Sequence, residues 1–183
     1  VGGVTWTEVT ISSVDDMRFP EADSMFNIGN KIWLGASTGY IFFSDDGGTT
    51  WTAQTEATVT VNDINGVCFI NENEGMAVGD LDTVLYTNDG GTTWSAVSGT
   101  GNASYDLITI EYSDGFWWTG GNKGYLYYSS DNGTTWTRRE FANDGASAVG
   151  GLQGVRNVKF LNSLFGMMAW EQELRDRESR LKG

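Results

Sequence analysis

The chain has 183 residues, 39% hydrophobic and 13% aromatic, which is enough apolar bulk to build a core. Twenty-four acidic residues against eleven basic ones leave a net charge of −13, which repels a phosphate backbone, so no nucleic acid partner is expected. With no His and one Cys, His-based triads, His-ligated or thiolate zinc sites and intrachain disulfides are excluded, and carboxylates are the remaining acid–base and metal-binding repertoire.

The chain starts "VGGVTW", without the charged and apolar regions of a signal peptide. That start suits a processed product or a piece of a longer chain. No run approaches the roughly 18 apolar residues of a membrane span, so no membrane insertion is expected. Cys68, inside the apolar run "GVCFI", is expected to be a small buried hydrophobe.

One octapeptide returns three times: "SDDGGTTW" at Ser44–Trp51, "TNDGGTTW" at Thr87–Trp94 and "SSDNGTTW" at Ser129–Trp136. Asp46 to Asp89 is 43 positions and Asp89 to Asp131 is 42, within the period of propeller blades. Each interval reads as four short strands. In the second unit, "GVCFI", "GMAVG", "TVLYT" and "TTWSAV" are β-branched and aromatic runs parted by the turn compositions "NENE", "DLD" and "NDGG". The expected fold is all-β, a β-propeller or propeller fragment of four-stranded blades over residues 1–170.

The ends are partial units. "GVTW" at Gly3–Trp6 matches the closing half of the octapeptide, 45 positions before Trp51, and "GVRNVKFLNSLFGMMAW" repeats the first half of the second unit. After it, "EQELRDRESRLKG" places Glu171, Glu173, Asp176 and Glu178 four residues before Arg175, Arg177, Arg180 and Lys182, which predicts an exposed C-terminal helix or tail over residues 171–183. Three complete units with partial ones leave three arrangements open: a compact four-blade variant, a segment of a larger protein, or an assembly in which neighbouring chains supply the rest.

The octapeptide reads as a hairpin device. Its Asp accepts hydrogen bonds from nearby backbone N–H groups, its Gly takes a positive φ, and its Trp packs between units. No nucleophile stands beside a base in it, so no catalytic residue and no cofactor is expected. Ser44, Asp46, Gly48 and Trp51, with Thr87, Asp89, Gly91 and Trp94, and Ser129, Asp131, Gly133 and Trp136, resemble Asp-box repeats, also called bacterial neuraminidase repeats. The resemblance implies boxes at blade peripheries, away from any active site. Such repeats occur in sialidases, other glycosidases, lectin-like adhesins, phage tail proteins and photosystem II assembly factors. "GMAVGDLDTVLYTNDGGTTW" is nearest to the photosystem II stability and assembly factor repeat, a family associated with an Arg-rich face; Arg18, Lys31, Lys123, Arg138, Arg139, Arg156 and Lys159 are the only bases before the tail.

Three functional readings follow. From charge, Cys scarcity and partial ends, the first is a non-catalytic module of a larger extracellular, cell-surface or virion assembly, such as a phage tail or adhesin. Its partners would be other protein subunits, with carbohydrate as a further ligand. The second is an assembly factor of the photosystem type. The third is a sialidase-like hydrolase, because "MRFP" at Met17–Pro20 resembles the F-R-I-P motif; that resemblance implies Arg18, Arg139 and Arg156 as carboxylate grips, Tyr112 beside Glu111 as nucleophile, and Asp15 or Asp16 as acid. A two-carboxylate glycosidase has no singled-out pair, and "SDDGG" and "NENEG" lack EF-hand spacing, so no metal site is expected. Trp117 and Trp118 in "DGFWWTGG" point to opposite faces of a strand; either both are buried between adjacent blades, the favoured reading, or one packs and the other is available to a sugar or a partner. Asn102 and Asn132 stand in glycosylation sequons.

Overall fold

A computed structural model of the chain describes residues 24–55, 59–122, 124–139, 155–162 and 165–170; in the last two segments only the side chains of Val155 and Val158 are described. The partial unit at Gly3–Trp6 and the expected C-terminal helix or tail over residues 171–183 lie outside these residues. The chain forms three four-stranded antiparallel meanders and a two-stranded sheet, an all-β arrangement of propeller blades. Among the described residues no helix is long and apolar enough to cross a membrane.

Blade one holds β1 (Met25–Ile28), β2 (Lys31–Gly35), β3 (Ile41–Ser44) and β4 (Thr52–Thr55). Blade two holds β5 (Ile64–Phe69), β6 (Gly75–Gly79), β7 (Thr83–Thr87) and β8 (Ser95–Ala96). Blade three holds β9 (Leu107–Ser113), β10 (Phe116–Gly121), β11 (Leu126–Ser129) and β12 (Thr137–Arg138), and β13 (Val155–Asn162) pairs with β14 (Phe165–Trp170). The fourth strand of blade two, Ser95–Ala96, is shorter than the run "TTWSAV" predicts. Thr93 gives its N–H to Asp89, so Thr92, Thr93 and Trp94 stay in the turn instead of joining the ladder.

The blades stack in chain order through apolar clusters at their shared faces. Trp33 and Ile41 of blade one meet Ile64, Val67, Phe69, Ala77 and Leu85 of blade two, with Trp33 stacked on Phe69 at 3.9 Å between ring centroids. Met76, Val78 and Val84 of blade two meet Leu107, Ile110 and Trp117 of blade three. Leu126 and Trp118 of blade three meet Val155 and Val158 on β13. Strand β5 is buried along its whole length because neighbours cover both of its faces, which explains why its sequence lacks the two-residue alternation of a half-exposed strand. Cys68 is buried there and carries no disulfide.

Close approach at the ends of β6 and β10 requires glycine. A Cβ on Gly79 would collide with the carbonyl of Asp63, and one on Gly121 with the carbonyl of Asp106; each carbonyl accepts the N–H of the next residue, Asp80 or Asn122, at 3.0 Å. Gly79→Ala is expected to lower stability by about 2 kcal/mol or more, since the obstruction is backbone and cannot rotate away. Urea unfolding followed by Trp fluorescence measures this; an unchanged midpoint would contradict the packing described.

Candidate functional site

All three boxes adopt one turn, whose hub is the hydroxyl at the end of the third strand. In box two, Thr87 is 1% exposed; its hydroxyl accepts the Gly91 N–H at 2.9 Å and donates to Asp89 Oδ1 at 2.9 Å. Asp89 in turn accepts the Thr93 N–H at 2.8 Å and the Thr93 hydroxyl at 2.6 Å. Ser44, Asp46, Gly48 and Thr50 repeat this in box one, as do Ser129, Asp131, Gly133 and Thr135 in box three. Positive φ is taken by Gly47 and Gly48, Gly90 and Gly91, and in box three by Asn132 and Gly133.

These bonds favour ionised aspartates. Asp46 is held down to about 2, first by the Thr50 N–H and then by its hydroxyl. Asp89 and Asp131 are lowered, first by the hydroxyls and then by the N–H groups of Thr93 and Thr135.

The box turns also fasten neighbouring blades. The Gly90 carbonyl accepts the Trp33 indole N–H at 3.0 Å and the Gln54 amide at 2.9 Å, both from blade one. Trp94 is buried against blade one, and Trp136 donates to the Ser98 carbonyl behind blade two at 3.0 Å, whereas Trp51 bonds Gly48 of its own box. In box three, Asn132 joins a partly buried network. Its amide donates to Glu74 and to the Tyr86 hydroxyl, Tyr86 donates to Glu74 at 2.8 Å, and Trp117 donates to Asn132 Oδ1 at 3.1 Å. Burial first and then the Glu74 bond push Tyr86 up to about 12. The Asn132 amide is therefore engaged between blades. Lys31 and Glu72 add an ion pair from blade one to blade two at 2.5 Å.

The opposite ends of the sheets carry a second recurrent aspartate, which no motif announced. Asp63 enters β5 and accepts the N–H of Thr38, in the β2–β3 turn of the preceding blade, at 2.8 Å. Asp106 enters β9 and accepts the N–H of Leu81, in the β6–β7 turn, at 3.2 Å. The only signal was their 43-residue spacing, one repeat apart. Asp82 completes the clamp by accepting the N–H groups of Thr100, Gly101 and Asn102. Thr38 and Leu81 sit at φ 57° and 54°, the left-handed region, where a leucine costs roughly 1–2 kcal/mol. Leu81 is nonetheless 57% exposed. Asp80 is raised, first by burial and then, against its bond from Asn65, by the charges of Asp106 and Asp63.

Trp117 is buried between blades two and three, and Trp118 is half-buried towards β13. Of the sialidase constellation, Arg18, Asp15, Asp16 and the side chain of Arg156 lie outside the described residues; Arg139 is exposed at the end of β12, and Tyr112 packs edge-on against Trp117. Among the described residues no three Cys, Asp or Glu side chains gather as a metal site. Of the basic side chains described, Arg138 lies over the Tyr125 ring at 4.3 Å, Arg139 is its neighbour, and Lys31 is paired.

A family model described as photosynthesis system II assembly factor YCF48 matches residues 55–146, just over half the chain, and a BNR/Asp-box repeat model matches residues 42–53. No curated protein matches the sequence. A structure of YCF48 bound to a D1 peptide is 23% identical with a TM-score of 0.55, over 72% of this chain and 46% of its own. YCF48 from Cyanidioschyzon merolae is 20% identical with a TM-score of 0.51, over 67% of this chain and 35% of its own. An ancestral GH74 enzyme is also 20% identical, with a TM-score of 0.50, over 71% of this chain and 19% of its own. The chain spans less than half the length of each, and at these identities the likeness is one of fold. The matches side with the assembly-factor alternative; none supports an adhesin, phage-tail, virion or carbohydrate-binding role.

Thr87→Val keeps the shape of the side chain but leaves the buried Gly91 N–H without an acceptor, and is expected to cost about 1–3 kcal/mol in urea unfolding. The boxes also set an acid limit. Because Asp46, Asp89 and Asp131 ionise below the ordinary value of 3.8, the unfolded chain binds more protons there. Their stabilisation is full above pH of about 4 and is lost as the pH falls towards 2. A variant with all three changed to Asn should show a flatter decline of the urea midpoint between pH 4 and 2.5 than the parent; equal slopes would refute the assignment.

Proposed function

Because the chain belongs to the photosynthesis system II assembly factor YCF48 family, we propose that it is a non-catalytic propeller module that holds a polypeptide segment of a photosystem II subunit while the complex is put together. The observation that carries this is the family match over residues 55–146, which runs from the end of blade one across blades two and three and both of their boxes. The solved YCF48 structure with a D1 peptide supports a segment of that kind as the ligand. The chemistry of the boxes supports a scaffold role, since each aspartate spends both carboxylate oxygens on its own turn.

The GH74 likeness keeps a hydrolase reading in view at the level of fold. Fluorescence anisotropy with labelled peptides tiling the D1 subunit separates the two. Saturable binding of one or a few peptides, on the order of micromolar, is expected of an assembly factor. If no peptide binds, and the protein releases reducing sugar from a polysaccharide panel, the proposal is overturned.

A further inference from the structure

Among the described residues Leu81 is the only apolar side chain at positive φ. A turn that needs only a bend would place Gly or Asn there. The Leu81 N–H is tied to Asp106, and the Asp82 N–H to the Tyr105 carbonyl, so the turn is fixed with the leucine in water. Val61, 71% exposed, stands in the connector before β5. That connector lies beside the same turn: Asn62 donates to the Thr83 hydroxyl at 2.9 Å, and Asp80 N–H to the Asp63 carbonyl at 3.0 Å. Two of the three exposed large apolar side chains described thus share one end of blade two.

Asp63, Asp80, Asp82 and Asp106 surround these two residues in the chain and the hydrogen-bond pattern, and none has a Lys or Arg ion partner among the described residues. Their bonds come from neutral N–H, amide and hydroxyl groups, which orient the carboxylates without cancelling their charge. Burial first and then, against the bond from Asn65, the nearby charges of Asp106 and Asp63 raise Asp80.

We infer that this face docks a basic segment of a partner protein, with Leu81 and Val61 as the apolar contact and Asp63, Asp80, Asp82 and Asp106 as the complementary charge. The inference rests on the assembly-factor reading and adds the place and chemistry of the contact. A second copy is disfavoured as occupant because it carries the same charge of −13.

The probe is a labelled ten-residue peptide alternating Lys and Leu, compared with Lys/Ser and Glu/Leu versions by anisotropy at two salt concentrations. The Lys/Leu peptide is expected to bind about tenfold or more tighter than either control. Leu81→Gly should weaken it about fivefold or more, while the thermal midpoint stays level or rises by about 2–4 °C as the strain is released. Asp80→Asn should weaken binding, and Asp45→Asn, which removes the same charge at a box turn, should not. Undiminished binding by Leu81→Gly, or equal losses from Asp80→Asn and Asp45→Asn, overturns the inference, as does dimerisation abolished by Leu81→Gly. The D1 peptides separate the two levels. A D1 peptide held equally by wild type and Leu81→Gly overturns this docking place and leaves the assembly-factor reading standing. Lys/Leu binding through Leu81 with no D1 peptide bound does the reverse.

Discussion

Every box turn of this chain hangs from a buried hydroxyl. Ser44, Thr87 and Ser129 end the third strand of their blades, and each hydroxyl accepts two backbone N–H groups, from the Asp and the Gly of its box, and donates to one carboxylate. Accepting the Gly N–H closes the turn, and donating to the Asp aims a carboxylate at the Thr just before the closing Trp. Without the hydroxyl, the carboxylate would lose one of the donors that hold it in the turn, and the turn that delivers Trp94 and Trp136 to the seam between blades would loosen. Burial gives the arrangement its strength, because a hydrogen bond shielded from water is expensive to leave unmade.

The seams follow from that delivery. Each blade offers an apolar face to the next, and the box of the later blade reaches back with a Trp, a carbonyl or an amide. The polar reach-back differs at each seam: Gly90 receives Trp33 and Gln54, whereas Asn132 sits among Glu74, Tyr86 and Trp117. Apolar burial supplies most of the attraction. The polar contacts make adjacent blades non-interchangeable, since a Gly carbonyl and an Asn side chain call for different partners.

The sequence revealed the repeat, the four strands of each blade and the positions of the turns, because those features lie within one period and recur in it. Two features escaped it. The clamp made by Asp63 and Asp106 joins groups in different blades, and the residues around the two aspartates, "NDIN" and "YDLI", share little beyond the Asp. The strained turn at Leu81 was hidden because backbone conformation there is imposed by the neighbouring blade, while local propensity argues against it. The box hydroxyl was visible as a recurring Ser or Thr, but nothing in its neighbours marked it as the buried member of the turn.

The clamp redraws the unit from which such a chain can be built. Asp63 and Asp106 each lie 25 residues after the N–H they hold, beyond the last strand of the blade that carries it. A sheet cut out at its strand boundaries would lose the carboxylate just before its first strand and leave its own turn N–H without the carboxylate that holds it. A segment that begins just before the turn after the second strand and ends inside the second strand of the following blade keeps both halves. Duplication, deletion or permutation of blades should therefore be tolerated in that offset frame, so the heritable module of the fold straddles two sheets.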